Sequence, residues 1–440
     1  MFEIGGFQSR LHGGVSRRAF LTAGALAPFA LNIPRLASQD RQKAKSVLLL
    51  WLWGAPSHLD TFDPKPNAAP EYRGPFRTIQ TKMPGVHFTE LFPKIAARSD
   101  QFALIRSHKT FDGDHLKAGT IGLTGAIEAT EGLQPNFGSI VARQKGSRDL
   151  PNFISIGRGS PRDVVGPMRG YGGGTWGRTY DPFLISCTDE GATDVPALKL
   201  LDGLTPGHLD DRRKLLAELD RTKSLADAAS FDKWDSSQKR AYALLTSPEA
   251  RQALDLSKEK ESVRDAYGTT TFGQSCLLGR RLVEAGVPYV QVNWSQYVEA
   301  MTPNCDFGWD THIYNFDLLP DRHGPIFDRV YSALLDDLKQ RGLLETTLVL
   351  AMGEFGRTPR INGQASRDHW PGCYFSMWAG AGVKPGRVIG ESDSTASAPI
   401  TDPITPAMVG ATILETMGVD AQARAEMRVL PEARVIHELF

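Results

Sequence analysis

Val47-Leu48-Leu49-Leu50-Trp51-Leu52-Trp53 follows Lys45-Ser46 and stops at Gly54-Ala55-Pro56. An apolar run of this length without polar alternation predicts a strand buried on both faces. The Gly and Pro beyond it predict the turn that ends it. Thr346–Met352 repeats the pattern and runs into Gly353-Glu354-Phe355-Gly356-Arg357-Thr358-Pro359. Phe102–Ile105, Phe153–Ile156, Tyr289–Val292 and Tyr374–Trp378 are shorter strand candidates. Phe327–Leu338 carries apolar residues at helical spacing, and Ala407–Met417 reads as a closing helix. From Pro206 to Gly286 the chain turns helical and charged, which predicts a helical insertion or cap on one side of the sheet. Strands alternating with helices over this length predict an α/β fold: a mostly parallel, doubly wound sheet with helices on both faces. In such sheets ligands gather outside the carboxyl ends of the strands.

The bulk numbers narrow the function. The chain has 440 residues, long enough for a large core, with 50 basic against 50 acidic residues. A net charge of zero argues against a nucleic-acid partner. No apolar run of transmembrane length follows the first forty residues. Cys187, Cys276, Cys305 and Cys373 lie far apart with no CxxC pair, so buried free thiols are expected rather than a zinc ribbon or a disulfide framework. At the N-terminus, Ser16-Arg17-Arg18-Ala19-Phe20-Leu21 precedes a weakly apolar stretch to Ile33 and then Arg35-Leu36-Ala37-Ser38. Paired arginines before Phe-Leu resemble a twin-arginine export signal, although Thr22 stands where Lys is frequent. Residues 1–37 are expected to be removed, leaving a periplasmic or cell-surface protein with no integral membrane segment.

Acids and imidazoles cluster beyond the strand candidates. Asp310-Thr311-His312 sets a carboxylate and an imidazole at i and i+2, on the same side of an extended backbone. Glu354 leaves its strand between two glycines, beside Arg357, a cation suited to bidentate contact with an anion. Asp368-His369 sits before Trp370-Pro371, where Asp368 either ligates or orients the histidine. His58, Asp60 and Asp63 follow the first strand; Asp60 is the natural ligand there, and Asp63 before Pro64 suits a local turn. His108, Asp112, Asp114 and His115 form another knot, with His115 at a helix start. Carboxylate with neutral imidazole is the donor set of a divalent metal of borderline softness. Zinc leads, and manganese, calcium and iron are the other ions considered.

The phrases Leu59-Asp60-Thr61-Phe62-Asp63-Pro64-Lys65-Pro66, Trp309-Asp310-Thr311-His312, Gly353–Pro359 and Arg367-Asp368-His369-Trp370-Pro371 resemble the bacterial family called domain of unknown function 1501. That family is grouped with the alkaline phosphatase and sulfatase superfamily. The resemblance implies a three-layer α/β/α sandwich with a metal site at the strand ends. By the same resemblance Asp60 is the first ligand, Asp310 and His312 are later ligands, and His369 is the final histidine. Glu354 stands where an Asp-His pair would follow, with Phe355 in the His position. The superfamily's Ser or Thr nucleophile would open a helix ending in Thr124-Gly125, and here that position is His115. His115 is therefore a ligand or itself a nucleophile, while Thr110 and Ser107 would act only if their loop bends them into place.

The expectation is an exported hydrolase of an anionic phosphate or sulfate ester. One or two ions would be held by Asp60, Asp310, His312, Glu354, Asp368 and His369, with Arg357, His115 and Thr110 as catalytic candidates. The alternative is a protein that has lost catalysis and binds an anionic polysaccharide or a partner protein. Both require the first-strand aspartate to meet the carboxyl-terminal clusters in one pocket.

Overall fold

A computed structural model describes residues 44–126, 133–146, 150–157, 162–163, 166–195, 252–294 and 308–440. The export signal and residues 206–251 of the expected helical insertion lie outside these described residues. Ser46–Leu52 (β1) is a strand with every residue buried. The remaining strands of the central sheet are Ala103–His108 (β2), Phe153–Ile156 (β3), Phe183–Cys187 (β4), Thr193–Asp194 (β5), Tyr289–Trp294 (β6), Thr347–Met352 (β7), Tyr374–Ala379 (β8) and Arg387–Ile389 (β9). They form one nine-stranded sheet in the order β9-β2-β8-β7-β1-β6-β3-β4-β5. β1 pairs in parallel with β6 and β7, β6 with β3, and β3 with β4. Two strands run against the rest: β8 between β7 and β2, and β5 at the edge.

Alternation along β1 explains the layers. Leu48, Leu50 and Leu52 face one apolar core, which the helices Thr271–Glu284 (α3) and Gly324–Gln340 (α4) cover. Leu49 and Trp51 face the other, covered by His115–Thr124 (α1), Phe137–Lys145 (α2) and Pro406–Thr416 (α5). The chain is a three-layer α/β/α sandwich. Residues 271–284, read as part of a charged cap, form a layer helix on the sheet, since Phe272, Cys276, Leu277 and Leu278 are all fully buried. Arg280 hides in the same layer by pairing with Glu259, Glu284 and Asp337. Cys187, Cys276 and Cys373 are free and buried. Among the described residues no helix is long and apolar enough to cross a membrane.

β1 and β7 are parallel neighbours, so their carboxyl ends leave the sheet side by side. There Gly54 donates its N–H to Glu354 Oε1 at 2.9 Å, and Trp309 donates its N–H to the Trp53 carbonyl at 2.8 Å. These contacts bring three distant segments to one edge. Gly356–Arg357 and His369–Trp370 add a two-stranded ladder that sets Arg357 opposite His369.

Candidate metal centre

Asp310 is the hub. Its Oδ2 stands 3.1 Å from His115 Nε2, and its Oδ1 lies 3.1 Å from the Nε2 of both His312 and His369. The ligand atoms of His115, Asp310 and His369 all lie within 4.8 Å of one another. Each imidazole is held by its other nitrogen. His115 Nδ1 meets Glu354 Oε1 at 2.6 Å, His312 Nδ1 meets Asp368 Oδ1 at 2.8 Å, and His369 Nδ1 meets the Gly113 carbonyl at 2.7 Å. All three Nδ1 partners are acceptors, so each Nδ1 carries the proton, and in a neutral ring Nε2 then presents a lone pair. That is how proteins orient metal-binding histidines.

Local sequence explains the placement. Asp114 caps α1 by accepting from the Lys117 N–H at 3.0 Å, which starts the helix at His115 on the floor of the site. Gly356 keeps its ladder close: a Cβ there would strike the Cys373 carbonyl and come within 2.7 Å of His58 Nδ1. Arg357 is fully buried, with Nη2 on Asp310 Oδ1 at 2.6 Å and on the Gly54 carbonyl, and Nε on the Ala55 carbonyl at 3.0 Å.

The electrostatics suit a cation. Burial alone would raise the Asp310 carboxyl, but Arg357 and the three imidazoles hold it well below the usual carboxylate range. Burial would lower His115, yet hydrogen bonds to Asp310 and Glu354 outweigh it and raise the imidazole to about 9. The Asp310 hydrogen bond raises His312. Burial, with His115 and Arg357 nearby, lowers His369 despite its bond to Asp310.

The residues fit such an ion on geometry too. His312 Nε2 and His369 Nε2 are 2.8 Å apart, a distance two ring nitrogens tolerate only with a proton or a metal between them. Donors bonded to zinc at about 2.0–2.1 Å stand roughly 3 Å or a little more from one another, close to the separations here.

The structure corrects several sequence expectations. Asp60, which the sequence reading required in the same pocket, is not in the group, so that requirement fails and any ion there would be held without it. It is fully buried against Arg367, with Nε at 2.6 Å from Oδ2 and Nη2 at 3.0 Å from Oδ1, and it accepts from Ser57 and Asn315 besides. Its lone pairs are spent on these donors. Glu354 and Asp368 stand behind His115 and His312 as orienting acceptors, not beside Asp310 as ligands. His115, weighed as ligand or nucleophile, offers Nε2 to the group and commits Nδ1 to Glu354. Arg357 is fully buried and spends Nε and Nη2 on Asp310 and backbone carbonyls, while its Nη1 is buried without a hydrogen-bond partner. The Thr110 hydroxyl is buried without a hydrogen-bond partner, so no base stands ready to activate it. The Ser107 hydroxyl packs against Gly390, where an added Cβ would collide with it. His58 binds the Ala396 carbonyl and His108 binds Ser376; both are structural. The Asp63 carboxylate pairs with Lys65 and Arg106 and accepts from Ser392. Arg367 and the Gly113 carbonyl escaped the sequence reading. The adjacency of Arg367 to Asp368 was the only signal for the first, and a backbone acceptor leaves none.

Residues 44–440 match the family described as Protein of unknown function (DUF1501). No curated protein matches the chain. Among solved structures it is similar to the PsFucS1 sulfatase from Pseudoalteromonas sp., at 12% identity and a TM-score of 0.33, covering 92% of this chain and 72% of that one. It is also similar to the phosphonate monoester hydrolase SpPMH from Silicibacter pomeroyi, at 12% identity and a TM-score of 0.34, covering 89% and 75%. The alkaline phosphatase from the Antarctic bacterium TAB5 matches at 12% identity and a TM-score of 0.31, covering 86% and 99%.

Proposed function

We propose that this chain, which belongs to the DUF1501 family, is an exported metal-dependent hydrolase of phosphate or sulfate esters. One observation carries the reading: three imidazoles, each tied through Nδ1 to an acceptor, direct Nε2 at a single buried-edge carboxylate. Nothing in the packing of a fold requires that convergence. His115, Asp310, His312 and His369 would hold the ion, with zinc the first candidate. When bound, the ion lowers the pKa of a coordinated water and polarises the ester oxygen.

The chain's own groups do the rest. Glu354, Asp368 and the Gly113 carbonyl fix which nitrogen of each histidine faces the centre. Arg357 holds Asp310 ionised and ties the Gly54–Ala55 turn against it. His312 and Asp368 form the open side, with side chains 41% and 51% exposed, so the ester enters there. Because His115 fills the position of the superfamily nucleophile and both its nitrogens are committed, water rather than a side chain is the attacking group. The twin-arginine motif supports export with the metal already loaded.

Metal analysis of protein purified after native export, with turnover of aryl phosphates and aryl sulfates, tests the reading. About one or two zinc ions per chain, and turnover lost in Asp310→Asn, are expected. A metal-free protein that takes up no zinc and hydrolyses neither ester refutes it. The missing hydroxyl nucleophile favours a second reading, a non-catalytic binder of an anionic polysaccharide or a partner protein. In that case Asp310→Asn would abolish ligand binding in a protein that never showed turnover.

A further inference from the structure

Five large hydrophobic side chains are exposed among the described residues, and three of them belong to segments that carry the centre: Phe111 (60%), Ile313 (37%) and Tyr314 (54%). Ile313 and Tyr314 follow His312 directly. Phe111 lies two residues before Gly113, whose carbonyl holds His369. Exposed apolar side chains on segments that hold a polar site suit a ligand with an apolar part.

Tyr314 is also strained. Its φ is +63°, in the left-handed region that a residue with a Cβ avoids. Strain of this kind persists only where the surroundings impose it. Here Thr311 Oγ1 donates to Asn315 Oδ1 at 2.6 Å, and Asn315 Nδ2 donates to Asp60 Oδ2 at 3.1 Å. Ser366 Oγ donates to the Thr311 carbonyl and accepts from the Asn315 N–H at 3.3 Å. Both flanks of Ile313-Tyr314 are thus bolted to the buried Asp60–Arg367 pair. The ring so presented gains the fold nothing, since more than half of it stays in water.

We propose that Tyr314, next to Ile313 in the chain, is the platform for the alcohol part of the ester, and that this alcohol carries a ring with a flat apolar face, aryl or pyranose. The phosphate or sulfate reaches the centre past His312 while the ring lies on Tyr314. The inference rests on the hydrolase reading and gives it a substrate class. Asp60 and Arg367 become positioning residues, acting through Asn315 on the turn.

Calorimetric binding to zinc-loaded protein tests it without turnover, using phenylphosphonate, a pyranosylmethyl phosphonate and methylphosphonate. Wild type is expected to bind at least one ring-bearing phosphonate about tenfold more tightly than methylphosphonate, a difference of about 1.4 kcal/mol. The ring that is preferred identifies the alcohol. Tyr314→Gly, which relieves the backbone strain and so keeps the fold, is expected to erase that preference with zinc content unchanged. Tyr314→Phe is expected to keep it. A wild type indifferent to the ring, or a preference that survives Tyr314→Gly, overturns the inference and leaves the hydrolase reading standing. Loss of zinc, or equal weakening of all three phosphonates in Tyr314→Gly, reassigns Tyr314 to structure and also overturns it. If zinc-loaded wild type binds none of the three, the hydrolase reading falls and takes this one with it.

Discussion

Asp60→Asn separates a ligand from a bracket. Asp60 and Arg367 both have fully buried side chains, and the guanidinium makes two hydrogen bonds to the carboxylate. Replacing the acid by its amide leaves the buried guanidinium with neutral acceptors only, the amide oxygen and the carbonyls of Tyr72, Thr358 and Pro359. Breaking such a pair costs about 3–5 kcal/mol. Unfolding entropy of about 2.1 cal/mol/K per residue, over the roughly 310 described residues, makes that a fall in melting temperature of about 5–8 °C. Saturating zinc should still bind at wild-type stoichiometry, because Asp60 touches no atom of the centre. Asp310→Asn should lose zinc, and its metal-free form should also melt below metal-free wild type, because the buried Arg357 is then left with neutral acceptors only. Differential scanning calorimetry of metal-stripped samples, with zinc measured by mass spectrometry after reloading, gives both numbers. Asp60→Asn/Arg367→Met should be less damaging than the sum of its single changes, since no unpaired charge remains. An Asp60→Asn protein that melts normally yet cannot hold zinc would refute the assignment and restore Asp60 as a ligand.

Three further outcomes follow from the same geometry. Glu354→Gln weakens the orientation of His115, so zinc affinity should fall about 10–100-fold in a competition titration with a coloured chelator. Gly356→Ala would drive a methyl into the Cys373 carbonyl and toward His58, costing about 1–3 kcal/mol in urea unfolding and lowering zinc affinity as Arg357 and His369 separate. Acid should destabilise the fold through His58, His108 and His323, whose burial lowers them, His108 to about 3 and His323 to about 4. Their folded values lie below the unfolded value near 6.5, so the stability they preserve is complete above that pH and is lost as pH falls toward 4. Each contributes a slope of up to about 1.4 kcal/mol per pH unit, and His108→Asn should remove one such share from urea midpoints followed between pH 6.5 and 4.5.

The layers were legible because β1 and β7 have no polar face, which only a sheet covered on both sides can satisfy. A short apolar run also located β3, and helical spacing located α4. The antiparallel course of β8 was not legible, since a strand buried on both faces reads alike in either direction. α3 was grouped with the helical insertion or cap because Arg280 and Arg281 look like surface charge until Glu259, Glu284 and Asp337 are seen to meet them. In the site, sequence found the acids and imidazoles but not their ranks. Asp60, Glu354 and Asp368 are the same chemical type as Asp310, and only coordinates show which carboxylate faces the ring nitrogens. The demand that Asp60 join the centre failed for this reason: a buried guanidinium claimed it first. The convergence expected of the carboxyl-terminal clusters holds without it, with His115 in its place.

The segment from Glu354 to Pro371 crosses the top of the molecule with little more than a two-residue ladder of its own. Two planar cations do the work that strands would otherwise do. Arg357 takes the carbonyls of Gly54, Ala55 and Trp309, and Arg367 those of Tyr72, Thr358 and Pro359. Irregular peptide held this way is stiff in every direction a fork of donors can reach, whereas a ladder stiffens mainly along its rungs. Lysine could conserve the charge at either position and still leave most of these oxygens dry and unsatisfied. The rigidity of the cover is thus written in two side chains, and a single conservative replacement is enough to unfasten it.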